Sequence, residues 1–149
     1  MSIRVQREDF DPGAEIAALS AGRPDVGAVT SFVGFVRGSA DCPAMTLEHY
    51  PGMTERQLAA IETEARQRWD LDGVVIIHRY GRLPVGDRIV LVAVASRHRA
   101  AAFSACEFLI DWLKTRAPFW KQEDGPDGPR WVEAKDDDNS RADRWNKTP

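Results

Sequence analysis

Between Arg88 and Ser96 the chain reads RIVLVAVAS, with seven consecutive apolar residues from Ile89 to Ala95. A half-buried strand alternates apolar and polar side chains, because successive residues point to opposite faces of the sheet. A strand that is apolar at every position has two faces to bury, so it must be covered on both sides. Everything else in the chain has to furnish those covers.

The candidate partners are legible. GVVIIHRYGRL, from Gly73 to Leu83, reads as a strand; the turn PVGD follows, so this strand and RIVLVAVAS are expected to form a hairpin. Further strands are expected at Ile3 to Gln6, at GAVTSFVGFV (Gly27 to Val36), whose β-branched and aromatic residues suit a pleated surface, and at Met45 to Tyr50. Arg37-Gly38 opens a polar loop. Helices are expected from Asp11-Pro12, closed by Gly22 and Pro24; from a capping box of Thr54 with Gln57, running to about Trp69; and from about Arg99 to Arg116. In the last of these, Phe103, Cys106, Ile110 and Leu113 are spaced to face a core, and Pro118 forbids continuation. PFWKQED, GPDG and PRWVEA then make a C-terminal hairpin. This order implies a compact α+β or α/β domain, with α+β expected, a mostly antiparallel sheet and about three helices.

At 149 residues the chain suits one domain. Its net charge of −3 argues against nucleic-acid binding, which calls for a basic footprint, so any cationic pocket must be local. No window approaches the length of a membrane span, and MSIRVQREDF lacks the apolar core of a signal peptide, so a cytoplasmic protein is expected. Cys42 and Cys106 are too few and too differently placed for a disulfide framework; Cys106 reads as core. His49, His78 and His98 stand singly in different segments without metal-ligand spacing.

Cations gather instead at element ends. SRHRA places Arg97, His98 and Arg99 where a buried strand meets a helix N-terminus, an end that already favours anions. Arg37 ends another strand, and its guanidinium suits bidentate phosphate binding. KTRAPFWK puts Lys114 on the last helical turn and Lys121 on the strand beyond the proline break. If these ends converge, the pocket holds several cations and few carboxylates, and a lysine among them is fitted to shuttle protons or engage an acyl group.

Five stretches, LEHYPGMTE, HRYGRLPVGD, SRHRAAAF, KTRAPFWK and RWVEAK, occur in this order and spacing. Together they resemble the large, catalytic subunit of molybdopterin synthase, the MoaE family, over about Gly27 to Lys135. The resemblance implies an α/β hammerhead fold, with one catalytic domain over residues 1–135 and a polar tail over 136–149. It implies conversion of cyclic pyranopterin monophosphate (precursor Z) into molybdopterin by two sulfurs. These arrive as a thiocarboxylate on the C-terminal Gly-Gly tail of a small ubiquitin-like subunit. The implied assembly is a heterotetramer around a homodimer of large subunits, and the step calls for no metal and no organic cofactor. Position by position, Lys114 corresponds to the family's essential lysine and Lys121 to its second active-site lysine. Phe35, Val36, Arg37, His98, Arg99, Gln122 and Glu123 correspond to the lining of the substrate pocket. The tail matches weakly apart from Arg144 and Trp145, and the resemblance leaves the roles of Arg141 and Arg144 open. The residues alone leave open a non-catalytic module of the same fold that grips a phosphorylated ligand or a protein tail; the presence of both lysines favours the enzyme.

Overall fold

The computed structural model describes residues 2–132 and 136–146. Among the described residues, eight strands make two sheets of four. The first contains β1 (Ile3–Gln6), β4 (Gly73–Arg79), β6 (Arg88–Ser96) and β2 (Ala28–Phe35), in that order across the sheet. Only the β1–β4 pair is parallel. The second is antiparallel throughout, in the order β5 (Gly81–Pro84), β3 (Ala44–His49), β7 (Phe119–Gly125), β8 (Gly128–Val132). Helices α1 (Pro12–Ser20), α2 (Met53–Arg68) and α3 (Arg99–Arg116) cover the first sheet. The mixed α+β class is as expected.

The apolar strand occupies the position its composition demands. Residues 90–95 are all 0% exposed. Val90, Val92 and Val94 face a core shared with α2 and α3, through Leu58, Ile61, Phe108 and Leu109. Leu91, Ala93 and Ala95 face a second core with Phe10 and Leu19 beside α1. One strand thus joins two cores by the alternation of its side chains.

Local chemistry explains the helix starts. Asp11 caps α1, its carboxylate accepting the Ala14 N–H at 3.2 Å, with Pro12 in the first turn where a missing N–H costs nothing. For α2 the expected box of Thr54 with Gln57 gives way to a start two residues earlier. Gly52, at φ 84°, is the capping residue, and its N–H donates to the Glu55 carboxylate. Thr54 lies inside the helix, fully buried, its hydroxyl donating to the Tyr50 carbonyl at 2.8 Å. Positive φ is open to glycine, so the Pro51-Gly52 turn feeds straight into the helix.

Two further expectations change. The single strand from Gly73 to Leu83 is two, separated at Tyr80: β4 pairs with β6 in the first sheet, and β5 crosses to pair with β3 in the second. Gly81, at φ 92°, makes the bend. Phe103 does not face the core; it is 63% exposed. The core face of α3 is made by Ala102, Ala105, Phe108 and Leu109, all fully buried, the two alanines letting the helix approach the sheet closely. Of the expected face, Cys106 and Leu113 are core and Phe103 is at the exposed edge of the stripe.

Beyond the second sheet the polar segment forms a fourth helix, α4 (Asp136–Asp143), followed by a 3-10 turn, Arg144–Asn146. The Trp145 ring packs edge-on against Trp69 and Phe108, and the Arg68 guanidinium donates to the Trp145 carbonyl at 2.8 Å. The second arm of the C-terminal hairpin past Val132, and with it the expected boundary at Lys135, lie outside the described residues. Among the described residues, no helix is long and apolar enough to cross a membrane.

Candidate functional site

A cavity of about 800 Å³ opens between the end of α3, strands β3 and β7, and the segment that follows β2. Its position follows from Pro118. The proline stops α3 after Arg116, the Ala117 backbone turns extended, and the chain re-enters the second sheet as β7. Lys114 on the last helical turn and Lys121 on the new strand therefore both line the cavity, seven positions apart.

Strand parity decides which neighbours join them. On β7, Phe119, Lys121 and Glu123 line the cavity, while Trp120 and Gln122 alternate to the other face. Phe35 at the end of β2 and Arg37 just past it line the cavity, while Val36 between them is 3% exposed and packed in the core. The backbone holds this segment: the Val36 N–H donates to the Asp87 carbonyl at 2.8 Å and the Gly86 N–H to the Val36 carbonyl at 2.9 Å. Of the positions expected to line a pocket, Phe35, Arg37, Lys114, Lys121 and Glu123 meet here; Val36 and Gln122 do not.

His98 and Arg99 stand elsewhere. They are exposed at the N-terminal end of α3, and Arg99, the nearer, is fifteen residues from Lys114, which is about 22 Å along a helix axis. Within one chain they do not reach this cavity.

The electrostatics are mixed and not simply cationic. Three cations, Arg37, Lys114 and Lys121, face two carboxylates, Glu123 and Asp138, the latter brought in by α4. Lys121 Nζ lies 3.4 Å from Glu123 Oε1, and Arg130 engages the other oxygen of that carboxylate at 3.5 Å. Glu123 thus holds Lys121 on the cavity wall. Such a set, donors only on the cations, suits an anionic occupant, with the carboxylates limiting how much negative charge it carries. Among the described residues there is no cluster of side chains that could hold a metal ion.

Sequence reasoning missed two lining residues of chemical interest. Asp138 lies on a segment read as a polar tail. His78 was set aside for want of metal-ligand spacing, yet its parity on β4 places it with Val74 and Ile76, on the side of the sheet that α3 covers. That parity was readable. Buried against Phe119, with Lys114 and His49 nearby, its imidazole is pushed down to about 3 and is neutral at physiological pH, burial being the largest cause. Cys106, by contrast, is core: burial pushes its thiol up to about 12.

Comparison with known proteins agrees with this architecture. The model of the MoaE protein family matches residues 5–116. The molybdopterin synthase catalytic subunit of Ralstonia nicotianae is 58% identical over 147 residues, 97% of this chain and 84% of the relative. The solved structure of a molybdopterin biosynthesis MoaE protein from Burkholderia ambifaria is 52% identical and superposes with a TM-score of 0.83, covering 97% of this chain and 98% of that one. A complex of subunits 1 and 2 of the molybdopterin-converting factor from Helicobacter pylori includes a chain that is 20% identical, with a TM-score of 0.75 over 91% of this chain and 92% of its own; that likeness shows shared fold. With the family model spanning most of the fold and close relatives spanning nearly all of it, this chain belongs to the MoaE family.

Proposed function

We propose that this chain is the catalytic subunit of a molybdopterin synthase, a sulfurtransferase that passes two sulfurs to cyclic pyranopterin monophosphate to give the molybdopterin dithiolene. The observation that carries the reading is the meeting of Lys114, Lys121 and Arg37 on one cavity, in a chain 58% identical to a protein named for that activity. A cavity of about 800 Å³ lies within the usual range for small-molecule sites, roughly 300–1,000 Å³, and accommodates a pterin with its phosphate.

In this reading the C-terminal thiocarboxylate of a small ubiquitin-like subunit enters the cavity beside Lys114. The ammonium of Lys114 stabilises charge developing at the acyl oxygen, or relays a proton, as sulfur attacks the pterin side chain. Arg37 and Lys121 hold the phosphate and the pterin, which fixes the reacting carbon against the sulfur. Two transfers are needed, so a spent small subunit must leave before a charged one arrives, and a modest, reversible interface suits that exchange. The large subunits pair as a homodimer within a heterotetramer, and a second copy is the route by which His98 and Arg99 reach a cavity they cannot reach in their own chain.

The experiment mixes the purified chain with a thiocarboxylated small subunit and precursor Z and measures molybdopterin. Product is expected. Its absence, under conditions where a related synthase turns over, sinks the enzymatic reading and leaves a non-catalytic binding module.

A further inference from the structure

His78 lines the cavity but has no part in the reading above. It is 4% exposed, and its ring stacks on Phe119 with centroids 3.7 Å apart and an interplanar angle of 17°. Its Nδ1 lies 2.8 Å from the Arg79 carbonyl oxygen. A carbonyl oxygen only accepts, so Nδ1 carries the proton, and in a neutral imidazole that leaves Nε2 as a bare lone pair. Nε2 makes no hydrogen bond among the described residues. Two charged or titratable side chains act on the ring from neighbouring elements, Lys114 on α3 and His49 on β3, and both oppose its protonation.

Among the charged side chains of the lining there is no neutral acceptor. Arg37, Lys114 and Lys121 donate only. Glu123 and Asp138 accept, but as carboxylates they carry charge, and Glu123 is taken up by Lys121 and Arg130. A neutral acceptor of fixed tautomer, braced by an aromatic ring that itself lines the cavity, is suited to a neutral N–H donor and not to an anion.

We propose that His78 is a specificity-determining residue of this cavity, its Nε2 accepting a hydrogen bond from a ring N–H of the occupant while the cations take the occupant's phosphate. The inference rests on the function proposed above and narrows it: the occupant is a phosphorylated nitrogen heterocycle read at both ends, and a bare phosphate ester does not satisfy the site.

Two variants separate this from a packing role. His78→Phe keeps a ring to stack on Phe119 but has no acceptor; His78→Gln loses the ring but places an amide oxygen near the position of Nε2. With thiocarboxylated small subunit, His78→Phe is expected to raise KM for precursor Z about tenfold with kcat changed far less, and His78→Gln to recover most of the loss. Calorimetric titration supplies a readout independent of turnover. A pterin bearing a phosphate ester on its side chain should bind His78→Phe about tenfold more weakly than the native chain, with inorganic phosphate binding both alike. Equal affinity of native and His78→Phe for the pterin phosphate overturns the proposal, even where the native chain makes molybdopterin. If the native chain makes none but the titrations differ as stated, the enzymatic reading fails and the recognition role stands. Should His78→Phe not fold, ¹⁵N NMR of the native protein decides: the Nε2 resonance must be that of an unprotonated nitrogen and must shift on addition of the pterin phosphate, and an unmoved resonance overturns the proposal.

Discussion

The indole Nε1 of Trp145 donates to Asp111 Oδ2 at 2.7 Å, joining the end of the described chain to the middle of α3. Arg144 donates to the same carboxylate oxygen at 2.9 Å, so a side chain only 7% exposed has both a charge partner and a neutral one. This contact seats α4 against α3 and brings Asp138 to the cavity. Replacing Asp111 with Ala leaves the indole N–H and the guanidinium without their acceptor. A loss of about 2 kcal/mol is expected in urea unfolding, together with faster proteolysis after residue 132. Unchanged proteolysis would show that the segment is held by other contacts.

Lys114 is exposed on the last turn of α3, so its removal should spare the fold. Lys114→Ala is expected to lower molybdopterin formation by about a hundredfold or more while the melting temperature stays close to native and the small subunit still binds. Collapse of the fold would return the residue to a structural role.

Lys121 has a different signature. Held on the wall by Glu123, it is assigned to binding, so Lys121→Ala should raise KM for precursor Z more than it lowers kcat. Glu123→Gln, which weakens the pair without removing the lysine, is expected to give a smaller change in the same direction. Steady-state kinetics on both variants checks the order.

Stability should fall in acid through His78. Its folded value, about 3, lies below the ordinary 6.5, so between these limits the unfolded chain binds the extra proton. The stabilisation is therefore complete above about pH 6.5 and is lost as pH falls toward 3, amounting to a few kcal/mol. Urea midpoints measured from pH 7 to pH 4 should decline, and the decline should be shallower in His78→Phe.

Gly81 turns the chain from the first sheet into the second at φ 92°, and a Cβ there would meet the Arg7 guanidinium at 2.8 Å. The arginine can move; the backbone angle cannot be relieved. Gly81→Ala is expected to cost about 1–2 kcal/mol by chemical denaturation, with kcat affected little.

What the sequence disclosed and what it withheld divide by the range of the interactions involved. Asp11-Pro12, the Pro118 break and the all-apolar β6 are local signals, and each predicts its element without reference to distant residues. The division of one strand-like run at Tyr80 is not local: Gly73 to Leu83 has the same strand character throughout, and only pairing with β3 removes its last three residues to another sheet. Phe103 misled because an apolar side chain at the right spacing is indistinguishable from a core residue until the alanines beside it are seen against β6. The polar stretch after residue 135 looked solvated because its anchor, Asp111, lies 34 positions away from Trp145. At the site, Arg37, Lys114 and Lys121 were legible as cations at element ends, and the family resemblance implied roles for them. Which neighbours join them on the wall depends on strand parity, and the position of His98 and Arg99 depends on the length of α3.

The alternation along β7 also limits how the gene can change. Inserting or deleting one residue between Pro118 and Gly125 would reverse the strand's two faces, presenting Trp120 and Gln122 to the cavity and Lys121 and Glu123 to the outside. No substitution nearby restores them, because the error is one of phase and not of chemistry. The tip at Pro126 and Asp127 lies beyond the last paired residues, so added length there leaves the phase untouched. Length variation in this hairpin is thus tolerated at the tip and excluded from the seven residues that precede it.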